Sequence, residues 1–369
     1  MKESPAARYL RERMEGGLFP GARFLVARGG EVVEEGWLGR SVVIPSEHFV
    51  GAGTLYDLAS LTKPLVTGCL SALLASRGRL DLEAPAARYL PELSEGWLGR
   101  ARLLDLLAHR SGLPAWLPLY LTASDRAGYL ERIRSLPAEY RPGTRVVYSC
   151  LGYILLALVL ERAGGAPLDE LAGAEIFSRL GLRDTMFRPP RELRPRIAAT
   201  EEGNEREREM AGEAGRDFAG FRRGMIWGEC HDLNAWRLGG VSGNAGLFST
   251  AADLHRLALE FLGRGTGLFD GDCLEMFRRD LTPSLNENRS VGWQLAATPG
   301  ASAGPFLSPG AIGHSGFTGT SLWIDPDGGW VLILLTNRIH PRYRPEDMNA
   351  VRREFHRRAL AGALFLRDP

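Results

Sequence analysis

The chain has little lysine, almost no excess charge and no paired cysteines. It contains 45 basic and 44 acidic residues among 369, a formal charge of +1. This balance excludes the strongly basic surface that DNA, RNA or an anionic membrane would require, so no nucleic-acid or membrane partner is expected. A hydrophobic content of 44% with 24% charged residues excludes a disordered, collagen-like or coiled-coil chain. The length predicts a globular protein with more than one structural unit.

No long apolar run and no disulfide pattern is present. The longest apolar run, Leu151 to Leu160, is about half of what a bilayer-spanning helix needs and predicts a core helix. The N-terminus lacks the apolar core of a secretory signal, so a cytoplasmic location is expected. The cysteines lack CxxC spacing and are expected to be reduced thiols. They are Cys69, Cys150, Cys230 and Cys273.

Lysine occurs only as Lys2 and Lys63, whereas 43 of the 45 basic residues are arginine. Arginine serves wherever only a surface charge is needed, but it cannot lose its proton near neutral pH. An interior lysine in such a chain is therefore a candidate for an amine that can be deprotonated. Lys63 is the residue in question.

The N-terminal part predicts a helix and a hairpin. Ser4-Pro5 is a good N-cap and first-turn pair for a short helix that ends before Gly16. Strands at 24–28 and 31–35 flank Gly29-Gly30, which is typical of a tight hairpin.

The C-terminal part predicts a second hairpin and a covering helix. Strands at 321–324 and 330–335 bracket an Asp-Pro-Asp-Gly-Gly turn. A helix over about 345–364 places a set of apolar residues on one face. These are Met348, Val351, Phe355 and Ala359.

The middle of the chain has mostly helical periodicity from Ser60 to about Leu180, and the Glu- and Arg-rich stretch 201–224 predicts a solvated loop. The predicted fold class is α/β plus all-α, with an antiparallel sheet flanked by N- and C-terminal helices and a large helical insertion. Residues 1–58 and 285–369 would form the sheet unit. Residues 59–284 would form the mostly helical unit, with the active site at their junction.

The motif Ser60-Leu61-Thr62-Lys63 precedes a helical pattern. A separation of three positions in a helix places the Lys63 amine near the Ser60 hydroxyl. The helix N-terminus adds a positive potential beside that hydroxyl. The same potential and burial disfavour an ammonium, so a Lys63 that is neutral and takes the serine proton is expected. The alternative is a capping serine followed by a lysine that reaches the surface.

Two further segments carry candidate residues. Tyr148 lies just before an apolar helix that Ser149 can cap, although a buried structural tyrosine explains it too. The run Gly313-His314-Ser315-Gly316-Phe317 precedes a strand, and Gly316 would let a substrate lie along that strand. The alternative explanation of this run is a glycine-rich loop.

Together and in this order, these elements resemble the penicillin-recognising serine hydrolases, which include class C β-lactamases, peptidases of the DD-carboxypeptidase type and related esterases. The resemblance spans nearly the whole chain. It includes Pro20-Gly21-Ala22, residues 57–63, residues 106–114 (LLAHRSGLP) and residues 240–250 (GVSGNAGLFST). It implies a β-lactamase/transpeptidase-like fold. Residues 227–235 are similar to a subgroup described as esterases, or as amidases and peptidases of cell-wall fragments.

The resemblance implies roles for these residues. Ser60 would be the acylated nucleophile, and Lys63 and Tyr148 would be the proton-transfer pair, with either of the two as the base. The backbone N–H groups of Ser60 and Phe317 would form the oxyanion hole. The strand His314-Ser315-Gly316 would bind substrate.

Two departures from the family pattern affect substrate recognition. His314 stands where many relatives have lysine, so a fixed charge becomes conditional on pH. If a protonated His314 holds an anionic substrate, KM for carboxylates rises between about pH 5.5 and 7.5. Cys150 stands two residues after the tyrosine, where Asn or Asp is common, and is only a weak donor. The resemblance and these departures predict weak or no hydrolysis of β-lactams.

The preferred function is a serine hydrolase that acts on esters, amides or peptidoglycan fragments. No cofactor or metal is expected, and the sequence does not determine the oligomeric state. One alternative is a non-catalytic ligand-binding protein on the same fold. Another is a metallohydrolase built around His231, Asp232 and Cys230. These three lack HExxH or paired-cysteine spacing, and structural roles are expected for them.

Overall fold

Residues 3–365 are described by the structure, a computed structural model. Residues 1–2 and 366–369, the outer limits of the predicted sheet unit, lie outside them. The helices are α1 Pro5–Glu15, α2 Cys69–Ser76, α3 Leu103–Leu107, α4 Arg126–Arg134, α5 Cys150–Gly164, α6 Leu168–Ala172, α7 Ser178–Leu180, α8 Glu205–Ala211, α9 Leu233–Arg237, α10 Ala251–Phe261, α11 Gly271–Arg278 and α12 Met348–Phe365. The strands are β1 Gly21–Arg28, β2 Glu31–Val42, β3 His48–Phe49, β4 Tyr56–Asp57, β5 Met186–Phe187, β6 Leu247–Ser249, β7 Gln294–Leu295, β8 Ile312–Ser315, β9 Ser321–Asp325 and β10 Trp330–Thr336.

Seven strands form one antiparallel sheet in the order β3-β2-β1-β10-β9-β8-β7. Both predicted hairpins are confirmed, with β1 paired to β2 and β9 paired to β10. Asp325 stabilises the second turn by accepting from the Gly328 N–H at 2.9 Å. Strand β2 runs beyond the predicted limit to Val42, because its later residues pair with β1 and β3.

Helices α1 and α12 cover one face of this sheet. Ser4 caps α1 by accepting from the Ala7 N–H, as predicted. The apolar face predicted for α12 is confirmed, since its four residues are all buried. The helix begins at Met348 instead of Pro345, because the Asp347 side chain accepts from the backbone N–H groups of Asn349 and Ala350 and acts as its cap.

The other face of the sheet packs against the main apolar core. This core contains sheet residues such as Leu25 and Ile324 and apolar residues of the helices in the middle of the chain. Helix α5 is buried in this core over most of the predicted apolar run, at residues 151–157, 159 and 160. A second sheet of three short strands, β4-β6-β5, lies beside it and was not predicted. It pairs the segment just before Ser60 with β6.

The prediction of a solvated loop over 201–224 is wrong in part. The segment contains α8 and a short 3-10 turn, and Glu201 and Glu207 are buried. The Glu207 carboxylate accepts from the Leu233 N–H at 2.9 Å. These acidic residues are internal because they satisfy donors near the start of α9.

The four cysteines are free thiols, as predicted. Within residues 3–365, no single helix has the length and apolar content to cross a membrane. The combination of α5 with residues 168–180 meets those criteria only as a pair bent by 71°.

Candidate active site

Ser60 lies in a 3-10 turn, Ala59–Leu61, directly after β4. Ala59 has a φ of 47°, a left-handed conformation that costs free energy for a residue with a Cβ and is found mainly where function requires it. Two contacts hold this turn. The Ala59 N–H donates to the Asp57 carboxylate at 2.8 Å, and the Thr62 hydroxyl donates to the Ala59 carbonyl at 2.7 Å.

Lys63 starts the π-helical turn Lys63–Gly68 that leads into α2, and its side chain is fully buried. Its Nζ lies 3.1 Å from the Ser60 Oγ and 3.0 Å from the Asn244 carbonyl oxygen. The Cys150 Sγ is 3.5 Å away. The amine can therefore exchange a proton with the Ser60 hydroxyl.

Tyr148 completes this cluster. The Lys63 Nζ lies 4.9 Å from the centre of its ring, and its hydroxyl is buried without a hydrogen-bond partner among the described residues. Ser149 caps α5 as predicted, accepting from the Gly152 N–H. The Lys63 and Ser60 side chains both lower the pKa of this phenol, so it is near enough to exchange a proton with either.

His109 positions Tyr148, a contribution that the sequence did not reveal. Its ring lies 4.5 Å from the Tyr148 ring, and its Nδ1 accepts from the Ser149 N–H at 2.9 Å. Its own φ is 57°. Burial, together with Arg289 and Lys63, lowers the pKa of His109 well below its ordinary value, so the ring is neutral. The one available signal was the LLAHRSGLP segment, which contains this histidine.

The pKa values of Lys63 and Tyr148 are both shifted in the folded chain, and the shift of Lys63 differs from the predicted one. Burial lowers the pKa of Lys63, but Cys150 and Tyr148, with the more distant Asp232, raise it by more, so the net shift is upward. Burial raises the pKa of Tyr148, against the effect of Lys63. This upward direction is opposite to the shift that burial alone predicts for Lys63.

The end of β8 lies against the turn that carries Ser60. The hydroxyls of Thr318 and Thr320 donate to the carbonyls of Asp57 and Leu58 at 2.7 and 3.1 Å. A Cβ at Gly316 would lie 2.4 Å from the Leu58 carbonyl oxygen, so only glycine fits there.

The backbone N–H groups of Ser60 and Phe317 donate no hydrogen bond within residues 3–365. A pair of unpaired donors beside a serine is suited to binding an anionic oxygen. Ser60, Tyr148, His314 and Phe317 line one cavity of about 490 Å³. A larger cavity of about 860 Å³, lined by parts of residues 202–223 and Arg342, contains none of the predicted site residues.

The sequence model of the β-lactamase family matches residues 6–355. This chain belongs to the β-lactamase family. A putative D-alanyl-D-alanine carboxypeptidase of Escherichia coli (strain K12) is 33% identical over 365 residues, covering 90% of this chain and 81% of the relative. An N-acetylmuramyl-L-alanine amidase of Bacillus subtilis (strain 168) is 32% identical over 361 residues, covering 89% and 80%.

Solved structures confirm the β-lactamase/transpeptidase-like fold. The hydrolase EstCE1, described as having promiscuous acyltransferase activity, superposes with a TM-score of 0.75 at 18% identity, covering 96% of this chain and 97% of its own. A class C β-lactamase from Rhodobacter sphaeroides gives 0.70 at 21% identity, covering 98% and 99%. At these identities the likeness concerns the fold alone. With the sequence relatives, the chain is a β-lactamase-related serine hydrolase and not a non-catalytic binding protein.

In this family member His314 is a neutral side chain. Burial, with Arg289 and Lys63, lowers its pKa well below its ordinary value, and its Nδ1 donates to the Ser315 carbonyl at 2.9 Å. This direction is opposite to the expectation that His314 gains a proton in the mildly acidic range, because the folded chain buries the ring and places two cations near it.

The cavity also contains Arg289, a cation in a salt bridge with Glu287, which sequence reasoning missed. Its side chain is buried, lies 5.6 Å from the Tyr148 ring centre and lines the same cavity as Ser60. Its Nε donates to Glu287 at 2.9 Å, whereas its Nη1 makes no hydrogen bond within the described residues. One arginine among 43 gives no signal in the sequence.

The residues considered for a metal site have other contacts. His231 Nε2 lies 2.8 Å from the buried Glu201 carboxylate, and Asp232 caps α9 and accepts from the Asn244 side chain. The His231 ring also stacks on Phe317, with 5.5 Å between ring centres. Within residues 3–365, no group of three or more His, Cys, Asp or Glu side chains is arranged to hold a metal.

The state of His314 predicts the pH dependence of KM. A pKa well below 6.5 leaves His314 neutral throughout about pH 5.5–7.5. KM for a carboxylate-bearing ester is therefore expected to stay flat across this range in steady-state assays, with a neutral ester of the same acyl group as control. A rise that follows a single ionisation, and is absent for the neutral ester, would contradict this assignment.

Arg289→Gln is expected to raise KM for the carboxylate-bearing ester about tenfold, the magnitude of a charge-assisted hydrogen bond, and to leave KM for the neutral ester unchanged. Because the substitution leaves Glu287 without its cation, the double variant Arg289→Gln/Glu287→Gln serves as control for repulsion by that carboxylate. Equal effects on both esters would show that Arg289 does not select for charge.

Proposed function

We propose that this chain is an acyl-enzyme hydrolase with Ser60 as its nucleophile. The observation that carries the proposal is the buried Lys63 amine 3.1 Å from the Ser60 hydroxyl. A neighbouring base is what a serine hydroxyl needs to become a nucleophile. The free N–H groups of Ser60 and Phe317 supply the donors that a tetrahedral intermediate needs.

The reaction begins when the pair formed by Lys63 and Tyr148 has lost one proton. This pair takes the Ser60 proton as the Oγ bonds to the substrate carbonyl carbon, and the carbonyl oxygen becomes anionic against the two N–H groups. The pair then gives that proton to the leaving alcohol or amine, whose bond to the carbonyl carbon breaks. Water, deprotonated by the same pair, attacks the acyl-Ser60 ester, and the proton returns to Ser60 as the acid leaves.

The proposed substrates are esters or amides, including peptidoglycan fragments with a D-amino acid. Support comes from the relatives, which are named as a putative D-alanyl-D-alanine carboxypeptidase and an N-acetylmuramyl-L-alanine amidase. The active site would lie where the segments 1–58 and 285–369 meet the segment 59–284. Weak or no β-lactam turnover is proposed because Cys150, a poor donor, contacts Lys63 at 3.5 Å.

Labelling by a fluorophosphonate or penicillin probe tests the nucleophile. Mass spectrometry of the wild-type adduct is expected to map to Ser60, and Ser60→Ala is expected to lose all labelling. Ser94→Ala, a change at an exposed serine away from the cavity, is the matched control and is expected to label normally. Labelling of Ser60→Ala at the wild-type rate would reject the proposal.

Lys63→Ala is expected to lower kcat for p-nitrophenyl esters by about 10²–10⁴, the usual contribution of general acid–base catalysis. A panel of small-acyl p-nitrophenyl esters beside D-alanyl dipeptides and a muramyl-L-alanine amide then ranks leaving groups by kcat/KM. Chelator treatment is the control for a metallohydrolase: activity that chelators remove and Lys63→Ala retains would favour that alternative.

A further inference from the structure

Arg352 on α12 is a buried cation without a carboxylate partner among the described residues. Its side chain is 4% exposed. Its Nη1 donates to the Asn349 side chain at 2.9 Å, and its Nη2 donates to the carbonyls of Gly316 and Thr320, both at 3.0 Å. Burial, with Arg338 nearby, lowers the pKa of Arg352 to about 9. The guanidinium is thus still charged at neutral pH, and backbone carbonyls stabilise it.

One of those carbonyls belongs to a peptide group of the proposed oxyanion hole. The Gly316 carbonyl and the Phe317 N–H are the two ends of a single peptide unit. The Gly319 N–H also donates to this carbonyl, at 3.1 Å. The plane of the unit is therefore fixed from its carbonyl side, while its N–H remains without a partner in the described residues.

A hydrogen bond to the carbonyl oxygen of a peptide group makes the N–H of the same group a stronger hydrogen-bond donor. The two groups are conjugated through the C–N bond, so electron density drawn to the oxygen leaves the nitrogen more positive. Hydrogen bonds in such chains polarise one another in a low-dielectric environment. A charged guanidinium is a stronger donor for this purpose than a neutral group.

We propose that Arg352 is a positioning residue that orients and polarises the Gly316–Phe317 peptide, so that its N–H binds the substrate oxygen more strongly when that oxygen becomes anionic. This inference rests on the proposed function of Ser60. Arg352 acts here through the peptide and needs no contact with the substrate. Because the gain appears only as charge develops, kcat changes and KM does not.

A neutral ester separates this role from binding of an anionic substrate, which matters because Arg352 lines the cavity. With p-nitrophenyl acetate, Arg352→Met is expected to lower the acylation rate about tenfold, a fraction of the 10²–10³ lost when a whole donor is removed. Arg352→Lys, which keeps the charge, is expected to restore part of the rate. KM for this ester stays unchanged in both variants.

Arg353→Met is the matched control. Arg353 is the next residue of the same helix and donates to the Gly300 carbonyl at 3.1 Å, away from the oxyanion peptide. The Arg353→Met variant is expected to be acylated at the wild-type rate. Thermal unfolding of all variants shows whether each is folded, and if Arg352→Met is not, the test proceeds with Arg352→Lys.

Infrared spectroscopy of the acyl-enzyme gives a readout that a purely structural role would not move. With an acyl group carrying ¹³C at the carbonyl, the ester band of the acyl-enzyme reports the strength of the hydrogen bonds to its oxygen. Loss of Arg352 is expected to shift this band to higher frequency, and Arg353→Met is expected to leave it in place.

The inference is overturned if the folded Arg352 variants acylate as fast as Arg353→Met, or if their acyl carbonyl band stays at the wild-type frequency. A failure of the proposed function looks different, because the wild-type protein would then form no adduct on Ser60. Slower turnover of carboxylate esters alone, with normal p-nitrophenyl acetate kinetics, would assign Arg352 to substrate binding and also reject the inference.

Discussion

The fully buried amine of Lys63 joins three parts of the chain that are distant in sequence. It donates to the Ser60 hydroxyl and to the Asn244 carbonyl and contacts the Cys150 thiol. Because a buried ammonium is costly unless its donors are used, the positions of these groups depend on one another. The left-handed Ala59, held on both sides by hydrogen bonds, sets the direction from which Ser60 meets this amine.

Asp57 connects this cluster to the rest of the fold. Its carboxylate accepts from the N–H groups of Ala59 and His231, and its carbonyl accepts from the Thr318 hydroxyl. The turn with the serine, the segment before α9 and the end of β8 therefore meet at one buried residue. Burial raises the pKa of Asp57, against the effect of these donors, so its contacts are what make the buried carboxylate tolerable.

The environment of the site is more cationic than its motifs indicate. Arg289 and Lys63 both lower the pKa of His314 and of His109, and both rings are neutral. Arg352 adds a third cation, whose donors are directed at carbonyls of the β8–β9 connection. Acidic side chains line the same cavity, namely Glu287, Glu346 and Asp347, and His314 adds no charge to it.

The sequence by itself determined the elements whose signals are local. Gly29-Gly30 and the 325–329 turn specified two hairpins, Ser4 and Ser149 specified helix starts, and the spacing of Ser60 and Lys63 brought hydroxyl and amine together. These signals succeed because each depends on neighbours within a few residues.

Only the tertiary structure decided the charge state and the supporting contacts. The acidic residues 201 and 207 are buried because donors near α9 need them, which no local pattern reveals. Arg289 and Arg352 are indistinguishable in sequence from the other arginines, and their roles arise from packing against residues far along the chain. The pKa of Lys63 is shifted by burial and by its neighbours Cys150 and Tyr148, and effects of this kind depend on distances that exist only in the folded chain.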